Sequence, residues 1–251
     1  MPGSGNGLRR ALVTGVSRGI GRAIALRLLA DGWEVHGTYR SGQRAALALA
    51  AEYERCTVYR ADLAVDSDVK GLLDAIGDVP LAGLVNNAGV IHFEDLTAFD
   101  LAQWRETLEV NLTAPVRLAR ALEPNLAGGA IVNIASTDAR TGAYNSIAYA
   151  VSKAGLLNVT QSLGNLLARS SIRVNAVTPG WIATEMTTEA DAAVALTPLA
   201  RIGEPAEVAA AVAWLLSAEA SFVTGTDLVV DGGYGNVDYV TKLEAEGSPE
   251  P

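Results

Sequence analysis

Tyr149 and Lys153 stand four residues apart in a stretch with helical periodicity, so both side chains share one face. A free phenol gives up its proton near pH ~10. A neighbouring ammonium favours the phenolate and brings that value toward the working range. Such a pair can give a proton to an oxygen or take one from it. Ser136 follows an apolar run at 130–135, and its hydroxyl can donate to a developing oxyanion. A carbonyl that receives hydride develops that charge. Ser136 and Tyr149 therefore suit the interconversion of a ketone and a secondary alcohol. Each feature alone is weak: tyrosine and lysine at this spacing are common by chance, and Ser136 can equally cap a strand end.

A second group suits a phosphate. Thr-Gly-Val-Ser-Arg-Gly-Ile-Gly at 14–21 joins an apolar run to a helical one. Gly15, Gly19 and Gly21 let the backbone approach a pyrophosphate, with Ser17, Arg18 and Ile20 between them and a helix N-terminus behind. The glycine spacing departs from G-x-G-x-x-G, and a tight structural turn is the competing reading. Where dinucleotide-binding folds carry an acidic residue for the ribose 2′-hydroxyl of NAD, this chain has Tyr39-Arg40-Ser41. Arg40 can pair with a 2′-phosphate, Ser41 can donate to it, and Arg18 can add a second cation. The expected cofactor is NADP(H); the plainer reading makes both arginines solvated surface charges.

These residues need elements to hold them. Strand-like runs fall at 8–14, 34–39, 56–60, 81–86, 130–135, 172–178 and 227–230. Helical stretches fall at 20–30, 44–54, 69–76, 148–169 and 205–216, with two more between 101 and 126 separated at Pro115. Strand and helix alternate, which predicts an α/β fold: a doubly wound, Rossmann-like parallel sheet of about seven strands, helices on both faces. Ligands of such sheets bind beyond the carboxyl ends of the strands, where every motif named here lies. No interior linker divides the chain, so one domain over 1–251 is expected.

Composition narrows the function classes. Among 251 residues, 49% are hydrophobic and 19% charged, enough for a sizeable core. A net charge of −9 disfavours nucleic acid and anionic membranes as partners. No apolar run approaches a membrane span, and no signal core opens the chain, so a cytoplasmic protein is expected. One cysteine and two histidines leave no basis for a metal site.

Taken jointly, the residues resemble the short-chain dehydrogenase/reductase family in its single-domain subtype, over nearly the whole chain. The turn at 14–21, Asp62, Asn86-Asn87-Ala88-Gly89, Asn111, Ser136, Tyr149 with Lys153, and Pro179-Gly180 carry the resemblance in order and spacing. It implies that Tyr149 is the general acid in reduction and that Lys153 lowers its pKa and bonds the nicotinamide ribose. It implies that Ser136 polarises the carbonyl and that Asn111 holds a water linking Lys153 to a proton relay. Asp62 would meet the adenine amino group with Leu63 beside it. Asn87, Ala88 and Gly89 would wall the adenosine ribose. Ile182 and Thr184, after Pro179 and Gly180, would meet the carboxamide and phosphates. Family members are commonly homotetramers built on the helices carrying Asn111 and Tyr149.

Residues 183–200 fall where the family has its substrate lid, and 90–93, 137–146 and 181–186 are expected to line the pocket, with Tyr144, Trp181 and Met186 making it partly aromatic and apolar. The general resemblance is to 3-oxoacyl-carrier-protein reductases and polyketide ketoreductases. Yet 123–129 carries no cation to meet an acidic carrier. The sequence therefore favours a free hydrophobic ketone, cyclic or polyketide-derived, over a 3-oxoacyl thioester. Oxidation of an alcohol and a non-catalytic NADP-binding regulator are the remaining alternatives. Epimerases and enoyl reductases differ in glycine or tyrosine–lysine spacing. The tail at 235–251 extends past the usual family end. Its first part is expected to pack on a neighbouring subunit and 244–251 to be disordered.

Overall fold

The computed structural model describes residues 8–93, 99–185, 187 and 190–247. Met186, part of the expected lid, and the last four residues of the tail lie outside the described residues. Seven parallel strands form one sheet: β1 (Arg10–Val13), β2 (Glu34–Tyr39), β3 (Cys56–Arg60), β4 (Gly83–Asn86), β5 (Ala130–Ile134), β6 (Arg173–Pro179) and β7 (Asp227–Val230). Their order is β3-β2-β1-β4-β5-β6-β7. The chain order reverses between β1 and β4, so a crevice opens there beyond the strand ends. The central strands are apolar on both faces because helices cover both. Ala11, Leu12, Val13, Leu84, Val85, Ile131 and Val132 are all buried.

The helices are α1 (Gly19–Ala30), α2 (Gln43–Glu52), α3 (Asp66–Ile76), α4 (Leu101–Leu108), α5 (Ala114–Ala121), α6 (Ile147–Leu167), α7 (Ala190–Leu196), α8 (Pro205–Leu216) and α9 (Tyr239–Glu246). One core packs Ile24 and Leu28 of α1 with Val208 and Val212 of α8. The other packs Leu72 of α3, Leu118 of α5 and Leu163 of α6. Each such side chain contributes roughly 1.5–3 kcal/mol by leaving water. Among the described residues, no helix is long and apolar enough to cross a membrane.

Three local outcomes depart from the sequence reading. Pro115 does not separate two helices: α4 runs into α5 through a π-turn at Glu109–Thr113, with the Ala114 amide bonded to the Glu109 carbonyl. Proline at 115 has no N–H for the carbonyl of Asn111, and its ring crowds that carbonyl, so the ladder widens one turn upstream. The sixth strand ends at Pro179, one residue beyond the expected 178. Pro179 is paired with Val230, and the Gly180 amide bonds the Val230 carbonyl at 3.0 Å. A strand end tolerates proline because it loses little of the ladder. The tail forms α9, capped by Asp238, and folds back on its own chain through Lys242 Nζ, which donates to the Ala195 carbonyl at 2.6 Å.

Candidate active site

The turn after β1 is drawn in by its neighbours. The Gly15 and Val16 amides donate to the Thr38 carbonyl at 3.0 and 2.9 Å. Asn87 Nδ2 donates to the Thr14 carbonyl at 2.8 Å, and Thr14 Oγ1 accepts from the Asn87 and Ala88 amides, both at 2.9 Å. Gly15 has φ +77°, a conformation that favours glycine. A Cβ on Gly21 would lie 2.1 Å from the Gly15 carbonyl oxygen, so no side chain fits there. Arg18 precedes α1 without a side-chain cap bond, which leaves the first N–H groups of the helix to an outside acceptor. Glycine closeness, an uncapped helix start and its positive dipole end together fit a pyrophosphate.

Both cations expected near the phosphates are ion-paired with carboxylates. Arg40 meets Glu106 of α4 at 2.6 Å, and Arg18 meets Glu185 at 2.8 Å. Glu106 also bonds His92 Nε2 at 3.0 Å. Burial opposes its ionisation, but the bonds from Arg40 and His92 outweigh that and hold its carboxyl below the usual range. Ser41 is exposed beside Arg40. Asp62 accepts from the Ala64 amide at 3.0 Å, and Leu63 is buried. Ile182 is buried, its backbone bridges Gly203, and its carbonyl accepts from Thr187 Oγ1. Thr184 lies across from the turn: its Cγ2 would be 3.4 Å from a Cβ on Gly19.

Ser136, Tyr149, Lys153 and Asn111 come together beyond β4 and β5. Ser136 caps a short 3₁₀ turn, accepting from the Asp138 amide at 3.2 Å, and hydrogen-bonds Tyr149. Lys153 is buried and donates to the Ile134 carbonyl at 2.7 Å, its Nζ 5.6 Å from the centre of the Tyr149 ring. Asn111 sits in the π-turn. Its Oδ1 accepts from the Val90 amide at 2.9 Å, and its Nδ2 donates to the Val90 carbonyl at 2.9 Å and to Ser152 Oγ at 3.1 Å. Ser152 Oγ in turn donates to the Tyr149 carbonyl at 2.7 Å. Gly89 closes the group: a Cβ there would lie 3.4 Å from Asn111 Oδ1 and 3.6 Å from Lys153 Nζ.

The electrostatics correct one expectation. Burial pushes the Tyr149 phenol up to about 12, against a hydrogen bond with Ser136 that pulls it down, and the Asp138 charge adds to the rise. Burial alone pushes Lys153 down to about 8. Lys153 is not among the groups that shift Tyr149, its Nζ being directed to the Ile134 carbonyl. Asp138 and Ser152 were not singled out from sequence. A carboxylate two residues after Ser136 was the available signal for the first, and helix spacing from Tyr149 for the second. Tyr144 is fully exposed at 101%, so it stands in solvent and walls no pocket. Trp181 packs edge-on against Tyr234, ring centres 6.1 Å apart.

Known proteins share this sequence pattern and fold. A family model described as enoyl-(acyl carrier protein) reductase matches residues 15–235. The chain is 36% identical to the 3-oxoacyl-[acyl-carrier-protein] reductase FabG of Vibrio cholerae, over 89% of its own length and 96% of the relative's. It is 35% identical to an acetoacetyl-CoA reductase of Rhizobium meliloti, over 90% and 98%. Among solved structures, BdcA in complex with NADPH superposes with a TM-score of 0.86 at 32% identity, covering 92% of this chain and 96% of that one. A short-chain dehydrogenase/reductase from Brucella melitensis gives 0.84 at 34%, covering 90% and 96%. The chain belongs to the short-chain dehydrogenase/reductase family of oxidoreductases.

Proposed function

We propose that this chain reduces the ketone of a 3-oxoacyl thioester to a secondary alcohol with NADPH. The observation that carries the reading is the Ser136–Tyr149 donor pair, backed by Lys153 and Asn111, in a chain whose relatives bear the names just given. The names shift the substrate from the free ketone favoured by sequence to the thioester. Bound NADPH supplies hydride to the carbonyl carbon. The rest belongs to the protein: Ser136 and Tyr149 donate to the carbonyl oxygen, and Tyr149 gives it a proton as the alcohol forms. Lys153 offers an ammonium to the nicotinamide ribose, and Asn111 fixes the loop at Val90 beside it. Holding the water of a proton relay is the further role assigned to Asn111.

Arg40, Ser41 and Arg18 would take the 2′-phosphate, with Glu106 and Glu185 released from their arginines. Gly15, Ser17, Gly19, Ile20 and Gly21 would cradle the pyrophosphate, and Asp62, Leu63, Asn87, Ala88 and Gly89 the adenosine. Pro179, Gly180, Ile182 and Thr184 would border the nicotinamide. Cellular NADP is kept largely reduced, which favours reduction over alcohol oxidation. Assembly as a homotetramer through α4–α5 and α6 completes the reading.

A free hydrophobic ketone is the second reading, and one feature favours it. The stretch 123–129 has no cation, Glu123 accepts from Ser170 Oγ at 2.7 Å, and nearby Arg173 is turned inward to the Ser217 and Val223 carbonyls. The stretch itself offers no cation to an acidic carrier protein, and the exposed cations beside it are Arg120 and Arg169. The test follows NADPH and NADH absorbance with acetoacetyl-CoA, a β-keto ester and a cyclic ketone. NADPH consumption strongest with acetoacetyl-CoA, lost in Tyr149→Phe while NADPH binding survives, supports the reading. Turnover confined to free ketones shifts it to the second, and preference for NADH overturns the cofactor assignment.

A further inference from the structure

The segment after β7 touches the lid region at both ends and passes beside Thr137 at a third point. At the far end of the lid, Lys242 Nζ donates to the Ala195 carbonyl at 2.6 Å, in the last turn of α7. A cation at that end also meets the negative end of the helix dipole. Beside it, the Leu199 amide donates to the Gly232 carbonyl at 3.2 Å. Gly232 and Gly233, with φ +62° and +92°, pass so close to the lid that a Cβ on them would lie 2.8 Å from Thr197 Cγ2 and 3.0 Å from Pro198 Cγ.

At the near end, the Tyr234 ring meets Trp181, two residues before the lid, edge-on at 6.1 Å. Tyr239 packs on Tyr234 at 6.2 Å, and its hydroxyl donates to the Tyr234 carbonyl at 3.0 Å. At the third point, a Cβ on Gly235 would be 3.7 Å from Thr137 Cγ2, the neighbour of Ser136. Asp231 holds this turn rigid by accepting from the Gly233 and Gly235 amides at 2.8 and 2.7 Å. The family match stops at residue 235, before α9 begins.

We propose that the segment from Asp231 through α9 is a clasp on the substrate lid, with Tyr239 and Lys242 as positioning residues that set how the pocket opens. Thr184, near the start of the lid, lies across from Gly19 of the phosphate turn. Outward movement of α7 must break the Lys242 bond or carry α9 with it. The clasp thus controls substrate entry without touching the reacting atoms. This rests on the reading above that residues 183–200 cover the substrate.

The test uses the full chain with Lys242→Ala, Lys242→Arg and Tyr239→Phe. KM and kcat are measured with acetoacetyl-CoA, and amide hydrogen exchange is followed at 190–200 and, as a reference, in β5. In Lys242→Ala, exchange at 190–200 should speed up while β5 stays unchanged. KM should rise roughly fivefold with kcat within about twofold, the size expected of one exposed charged contact. Lys242→Arg should restore both, and Tyr239→Phe should move both in the same direction. Unchanged exchange at 190–200 overturns the clasp. Faster exchange with unchanged KM overturns its role in substrate entry. If the wild type turns over no ketone, the proposed function fails by itself, and the exchange comparison still decides the clasp.

Discussion

Burial moves Tyr149 and Lys153 in opposite directions, the phenol up and the ammonium down. A phenol held near 12 keeps its proton throughout the working range. It is ready to donate in reduction and poor as a base for oxidation at neutral pH. Lys153, pushed down to about 8, is charged below that pH and increasingly neutral above it. The ammonium is the form that favours donation by Tyr149 and binds a ribose hydroxyl. Reduction should therefore hold steady below pH 8 and fall as pH rises through about 8. A pH profile of kcat/KM in the reductive direction checks this; a fall only above pH 10 would return Lys153 to its ordinary value and refute the burial argument. The reacting residues themselves were legible in sequence because their chemistry is local: a four-residue spacing on one helix, and a serine at a strand end. Their counterparts were not. Glu106 on Arg40, Glu185 on Arg18 and Asp138 beside Tyr149 are defined by folding, across separations that no periodicity spans.

At the scale of elements, what decides the site is how α4 passes into α5. The π-turn at Glu109–Thr113 aims the Asn111 amide at Val90 and Ser152, and Ser152 reaches on to the Tyr149 carbonyl. Proline at 115 causes the widening, so Pro115→Ala should let an ordinary α-turn form and rotate Asn111 off Val90. The helix should gain stability, since an interior proline costs about 3 kcal/mol. Activity should nonetheless drop by about tenfold or more, because small misplacements near reacting groups are expensive. Circular dichroism melting beside kcat measures both; a variant with higher Tm and full activity would remove the π-turn from the mechanism. The sequence showed a break at Pro115 but not its form. Elsewhere β2 and β3 were legible to the residue because apolar and β-branched residues end at clear turns. The start of α3 was read three residues late. Its first turn holds Asp66 and Asp68, which suit a helix dipole but show no apolar periodicity. The tail helix was missed for the same reason: Tyr239–Glu246 is short and mostly polar, and its folding depends on Asp238 as a cap and on the lid as a surface.

For the molecule as a whole, the outer face of α6 poses the remaining question. A chain with 19% charged residues should put charge on the exposed side of a 21-residue helix. Instead its exposed positions are Val151, Ala154, Asn158, Gln161, Ser162, Asn165 and Leu166, with no charge among them. Val151 is 45% and Leu166 60% exposed, and Leu101 at the start of α4 is 48% exposed. Interface cores are poor in charge in this way. Lys153, the lone charged residue of α6, points inward to the Ile134 carbonyl, so the exposed side of the helix carries none of its charge. A net charge of −9 on every copy opposes association most at low salt, because physiological salt screens the repulsion beyond roughly 8 Å. Assembly should therefore tighten from low salt to physiological salt, the reverse of contacts made by opposite charges. Light scattering at micromolar protein should give the mass of a homotetramer. Ala154→Arg with Leu166→Arg should reduce it to smaller species that keep their circular dichroism, because two cations per helix would then have to be buried unpaired. A wild-type monomer, or a double variant that stays tetrameric, would show that the uncharged face of α6 serves no contact between copies.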